Sequence, residues 1–97
     1  MSLSRLRAEI DAIDRQLLVL FARRFRVAEE VAAHKAKARL KPRIASRIRH
    51  VIQNREREGL ILGMPRNSAA NIWKAVIEET CKFEEIRIPR LRPRRGA

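Results

Sequence analysis

"LRAEIDAIDRQLLVLFARRFRVAEEVAAHK", residues 6–35, carries apolar side chains at Leu6, Ile10, Ile13, Leu17, Leu20, Phe21, Val27, Ala28 and Val31. They step by threes and fours, with no Pro or Gly between them, which is the repeat of one helix face. Leu3 extends the pattern backward and Ser2 or Ser4 can cap it, so a single helix is predicted from about residue 4 to about residue 38. At 1.5 Å per residue that helix is on the order of 50 Å long, whereas a compact chain of this size is only about 30 Å across. Its own chain is too small to cover it, and a second copy is the economical cover.

Two cations interrupt this stripe. Arg24 lies four residues before Ala28 and seven before Val31, and Lys35 lies four after Val31. Eleven residues turn a helix through about 1100°, so both project on nearly the same side, three turns apart. For one such cation the ordinary reading is snorkelling, with the stem on apolar surface and the charge in water. Arg7 sits beside the stripe near the helix start, about 25 Å along the axis from Arg24. Arg7 and Arg24 of one chain therefore cannot touch the same small molecule, but in an antiparallel dimer Arg7 of one copy meets Arg24 of the other.

Further along, "RLKPRIAS" (39–46) breaks the helix at Pro42, because the residue before proline avoids the helical region. A second helix is expected in "SRIRHVIQNREREG" (46–59), with Ile48, Val51 and Ile52 inward and Gly59 as its stop. After "LILGMPRNS" (60–68), a third is expected over about 66–86, ended by Pro89 and Pro93. Ile72, Trp73, Val76, Ile77, Thr80, Phe83 and Glu84 share one side of it, so Thr80 and Glu84 again put polar groups on an apolar face. The predicted fold is all-α: three helices per chain (long, short, medium) in an intertwined helical homodimer. Residues 1–88 form the helical domain, and 89–97 a basic tail expected to be disordered.

The remaining composition narrows the function classes. A chain of 97 residues makes one domain, and three Gly with no Tyr suit helices. Its formal charge is +12, and "RIPRLRPRRGA" (87–97) holds five Arg and no acid. Such a balance attracts either nucleic acid or small anionic substrates. A nucleic-acid-binding module gives no reason for cations on a buried stripe. Cys81 has no partner for a disulfide and is read as a small buried apolar residue. No apolar run approaches a membrane span, and "MSLSRLRAEID" lacks a signal peptide's apolar core, so the cytoplasm is expected and no membrane partner. There is no catalytic triad, phosphate loop, metal-ligand cluster or nucleotide fingerprint, and His34 and His50 are isolated, read as surface. Arg and Lys gathered opposite one carboxylate make sense as a pocket for a dianion. Catalysis is then left to orientation and electrostatics.

These residues resemble the first helix of the all-helical (AroQ-class, type II) chorismate mutases. The signature there is an Arg before "I-D-x-I-D", then "L-L-x-L-x-x-R", then "V-A-x-x-V-x-x-x-K" with its lysine eleven residues after the arginine. "IWKAVIEETCKFE" (72–84) is similar to the family's "I-F-x-x-I-I-E-x-S-x-x-x-Q". The resemblance spans about residues 3–86 and implies an isomerase of aromatic amino acid biosynthesis, on the shikimate pathway, that turns chorismate into prephenate without cofactor or metal. It implies that Arg24 binds one substrate carboxylate and Arg7 of the partner chain the other, while Lys35 donates to the ether oxygen. Glu84 takes the second ether-oxygen position, Arg47 the second-helix arginine, and Thr80 the Ser/Thr position. Val31, Ile77 and Cys81 line the apolar wall.

Two departures from the family pattern stand out. Where its second helix begins "D-x-x-R-E", this chain reads "I-A-S-R-I", with Ile44 and Ile48 replacing both acids. That leaves open isochorismate pyruvate-lyase and amino-deoxychorismate mutase, which share the scaffold, and a non-catalytic regulatory homologue. The other departure is Glu84 in place of Gln, since a carboxylate donates to an ether oxygen only when protonated.

Overall fold

The computed structural model describes residues 2–91, which form three helices: α1 (Leu3–Ala38), α2 (Ala45–Ile61) and α3 (Ser68–Leu91). Helix α1 is capped by Ser2, whose backbone is extended and whose side-chain oxygen accepts the Arg5 N–H at 3.2 Å. It ends where Arg39 turns left-handed (φ 55°) and the Arg39 and Leu40 N–H groups close on the carbonyls of Ala36 and Lys35. Lys35 and Lys37 stand in its last turn, where cations suit the helix dipole.

Two predicted ends differ in the structure. Gly59 does not stop α2, which runs on to Ile61; Gly59 is instead buried at the crossing of α2 and α3. A Cβ there would lie 2.7 Å from the Cβ of Ala69, so the missing side chain is what permits the close approach. The turn comes later, at Gly63 (φ 90°), which supplies the positive φ that other residues disfavour. Helix α3 likewise starts at Ser68, with the Glu56 carboxylate of α2 accepting the Asn67 and Ala70 N–H groups at 2.8 and 3.1 Å. It passes through Pro89 to Leu91 rather than ending near residue 86. Proline in a helix interior costs about 3 kcal/mol. The adjoining Ile88 is 1% exposed against Ala32 and Ala36, and burying an Ile side chain returns about 1.5–3 kcal/mol. The expected tail is therefore helical as far as Leu91, and its residues 92–97 lie outside the described residues.

Helix α3 packs on both α1 and α2, which do not pack on each other. The α1 seam is made of small residues: Ala28, Ala32 and Ala36 are its buried positions, one turn apart, letting α3 come close. Phe25 and Phe83 meet edge to face beside it, ring centres 5.4 Å apart. The large apolar residues of α1 lie elsewhere. Leu3, Leu6, Ile10, Ile13, Leu17, Leu18, Val19 and Leu20 are all exposed on the part of the helix that extends beyond α2 and α3. The described chain is correspondingly long, 66 × 25 × 15 Å with a radius of gyration of 17.3 Å. No described helix is long and apolar enough to cross a membrane.

Candidate functional site

Because α1 and α2 are held apart by α3, a cavity of about 360 Å³ opens among the three helices and the 39–44 connection. Arg24, Lys35, Arg47, Thr80 and Glu84 all reach it, as do Val31, Ile77 and Cys81. The cavity thus brings together eight of the nine expected site residues, four singled out by their place on an apolar stripe and four by the resemblance alone. Arg7 is not among them: it is exposed on the projecting part of α1, outside the cavity of its own chain. Ile44 and Ile48 line the wall where the resemblance expects two acids.

One end of the cavity is an ion pair. Lys35 Nζ donates to Glu84 Oε2 at 3.1 Å and to the Pro42 carbonyl at 2.7 Å. An ammonium has three N–H donors, so one is left for a ligand. Glu84 is 3% exposed, the only buried charged residue among those described, and Lys35 gives it the paired charge that such burial demands. The connection is fixed from its other side by Arg43, which donates to Glu78 (2.6 and 3.0 Å) and Glu85 (2.7 Å) of α3.

Arg24 is nearer the opposite end, with one Nη donating to the Thr80 hydroxyl at 2.5 Å. That hydroxyl spends its own proton on the Val76 carbonyl at 2.8 Å, so it presents a lone pair to Arg24. Thr80 therefore orients the guanidinium. Burial holds Arg24 below the usual arginine value, helped by the positive charges of Arg55 and Arg47 and opposed by Glu84. It stays protonated at any physiological pH. Cys81 is buried in the cavity wall, and burial pushes its thiol above the ordinary range.

Arg55 is the cavity cation that sequence reasoning missed. The signal was present: Arg55 lies four residues after buried Val51, as Arg24 lies four before buried Ala28. With Lys35 and Glu84 offsetting each other, three guanidiniums remain. Among the described residues, no carboxylate pairs with any of them. Between the charged ends the lining is apolar, including Ala28, Val31, Val51 and Ile77. This arrangement suits a small ligand with an apolar body and more than one anionic group. His34 and His50 are exposed and take no part in it.

A family model described as chorismate mutase type II matches residues 6–85. No curated protein and no solved structure matches the chain.

Proposed function

The chain belongs to the type II chorismate mutase family, and from that premise we propose that it catalyses the [3,3] rearrangement of chorismate to prephenate. One observation carries the reading: unpaired guanidiniums and a lysine with a spare donor face each other across an apolar cavity. Arg24 grips one substrate carboxylate in a bidentate fork. Lys35 turns its third N–H to the ether oxygen, where negative charge grows as the C–O bond breaks and the new C–C bond forms. Glu84, when protonated, is the second donor to that oxygen, and Arg47 adds positive charge. Val31, Ile77 and Cys81 press the enolpyruvyl group over the ring. No proton or electron changes hands, so the acceleration comes from holding the chair-like geometry and stabilising developing charge.

The same reading assigns a second copy to the projecting part of α1. Eight large apolar side chains are exposed there, and Arg7 sits among them, out of reach of its own cavity. An antiparallel partner covers the apolar face and brings its Arg7 to the second substrate carboxylate. Mixing Arg7→Ala protein with Lys35→Ala protein should then restore activity in mixed dimers, at up to about a quarter of the sites, since each carries one complete site. Two inactive proteins that stay inactive when mixed would count against the crossing.

The direct experiment is prephenate formation from chorismate by wild type and Lys35→Ala. Removing a single preorganised donor should lower kcat by roughly 10²–10³-fold. Turnover unchanged in Lys35→Ala, with the assembly intact, removes Lys35 from the site. A wild type that makes no prephenate removes the mutase reading. Ile44 and Ile48 on the cavity wall favour a second reading, isochorismate pyruvate-lyase, whose signature is salicylate plus pyruvate from isochorismate. An amino-substituted substrate has less support, because its ammonium would face isoleucines and guanidiniums. Turnover of neither substrate would leave a regulatory homologue. A nucleic-acid-binding role draws nothing from this cavity, whose cations are gathered between helices rather than spread along an exposed face.

A further inference from the structure

We infer that Arg55 is a substrate-binding residue, forming with Arg24 a two-guanidinium clamp for one carboxylate of the ligand at the Trp73 end of the cavity. The inference rests on the reading of this cavity as a site for a dicarboxylate, and it adds a residue that neither the family pattern nor its spacing assigns.

Arg55 is half-buried in the cavity lining, two turns along α2 from Arg47. Its guanidinium lies over the Trp73 ring, 5.9 Å from the ring centre, and donates to Asn54 Oδ1 at 2.6 Å. An aromatic face and an amide oxygen hold the planar fork without neutralising it, and they leave donors to spare. A surface arginine fixed in this way would be unremarked. This one lines a half-open cavity together with another guanidinium, where like charges repel and no carboxylate of the described residues pairs with it. The repulsion reaches Arg24: the charge of Arg55 is the strongest influence on it after burial itself. Two arginines held together against their mutual repulsion stabilise an anion more than either does alone, because the anion removes the repulsion as well as accepting the hydrogen bonds. The isoleucines at 44 and 48 offer the ligand no polar contact, so its anchoring falls to the cations.

The experiment is steady-state kinetics on chorismate with Arg55→Ala and Arg55→Lys, together with calorimetric titration of prephenate. Alanine suits a helix, and a thermal melt checks that the variants fold. Arg55→Ala should raise KM and the prephenate Kd by about ten-fold or more, with kcat within about two-fold, as expected for loss of charge-assisted hydrogen bonds. Arg55→Lys, which keeps the charge and loses the fork, should fall between. A purely structural Arg55 would lower the melting temperature and leave KM and Kd unchanged, and that result overturns the clamp while the mutase reading stands. If wild type makes no prephenate yet binds it, with binding weakened in both Arg24→Ala and Arg55→Ala, the mutase reading falls and the clamp stands. If wild type neither turns over chorismate nor binds prephenate, both fall.

Discussion

Replacing Lys35 by methionine keeps most of the stem and deletes the charge, so it isolates what the ammonium does for Glu84. The two side chains are 16% and 4% exposed and 3.1 Å apart, a buried ion pair rather than a surface one. Removing one partner of such a pair typically costs 3–5 kcal/mol, because the other charge is left buried and unpaired. Arg24 still acts on Glu84 from across the cavity, which places the expected cost at the lower end, about 3 kcal/mol near neutral pH. For a chain of this length that is a fall in melting temperature of roughly 12–24 °C. The loss has a pH signature. Without Lys35, the folded variant favours a protonated Glu84, so folding retains a proton that the unfolded chain releases above the ordinary carboxylate range. Destabilisation should then grow with pH, by at most about 1.4 kcal/mol per unit, and nearly vanish below pH 4.

The assay is urea unfolding of wild type, Lys35→Met, Glu84→Gln and the double variant at pH 4, 5.5 and 7.5, all at one protein concentration. The double variant buries no lone charge and should be more stable than Lys35→Met at pH 7.5. A Lys35→Met cost under about 1 kcal/mol that does not change with pH would refute the reasoning. So would a double variant no better than Lys35→Met.

Other outcomes follow from the same structure. Glu84→Gln puts an amide N–H donor where the ion-paired carboxylate can only accept, and should raise kcat in a stopped-flow or spectrophotometric assay. Gly59→Ala should lower stability by about 1–3 kcal/mol in thermal melts, since the 2.7 Å approach to Ala69 outweighs the helix propensity gained. Cys81, buried and with its thiol pushed up by burial, should be alkylated by iodoacetamide at least about ten-fold more slowly in the folded than in the unfolded protein at pH 8. Saturating prephenate should slow that reaction further, because Cys81 lines the same cavity, and equal rates with and without it would place the ligand elsewhere.

Most of the cavity was legible from a single rule, that a polar residue on a helix's apolar stripe needs a reason. It located Arg24, Lys35, Thr80 and Glu84 before any packing was known. The rule failed for Arg55 because α2 also carries Arg47, Arg49 and Arg57, and its apolar stripe is too thin for one more arginine to stand out. Of the alanines that α1 buries within the chain, the rule named Ala28 and missed Ala32 and Ala36. Hydrophobicity pointed to the large residues, but interhelical distance is set by the smallest ones, so Ala28, Ala32 and Ala36 form the seam. Gly59 and Pro89 were read by backbone habit alone. Each was overruled by a tertiary contact that sequence does not display, with Ala69 in one case and with the burial of Ile88 in the other.

The overhang and the excess charge have a common physical resolution. Among the described residues of one chain the buried apolar ones are mostly alanines, with Val51 and Ile88 the only larger aliphatics, too little burial to hold a 36-residue helix and a repelling arginine cluster. In the proposed dimer, a second copy covering the exposed stretch from Leu3 to Leu20 would supply that missing burial, but it would also add the partner's Arg7 to a cavity that already holds three unpaired guanidiniums. Such an assembly would stabilise the fold while worsening the electrostatics of the empty site. A dianion would reverse the second effect without touching the first, so in that dimer ligand binding and dimerisation would reinforce each other through charge neutralisation. On this reading the three unpaired guanidiniums of the cavity are more than part of a basic surface. They are stored repulsion that a ligand with two carboxylates relieves more fully than a monoanion does, which is why the monoanion should bind far less than half as well.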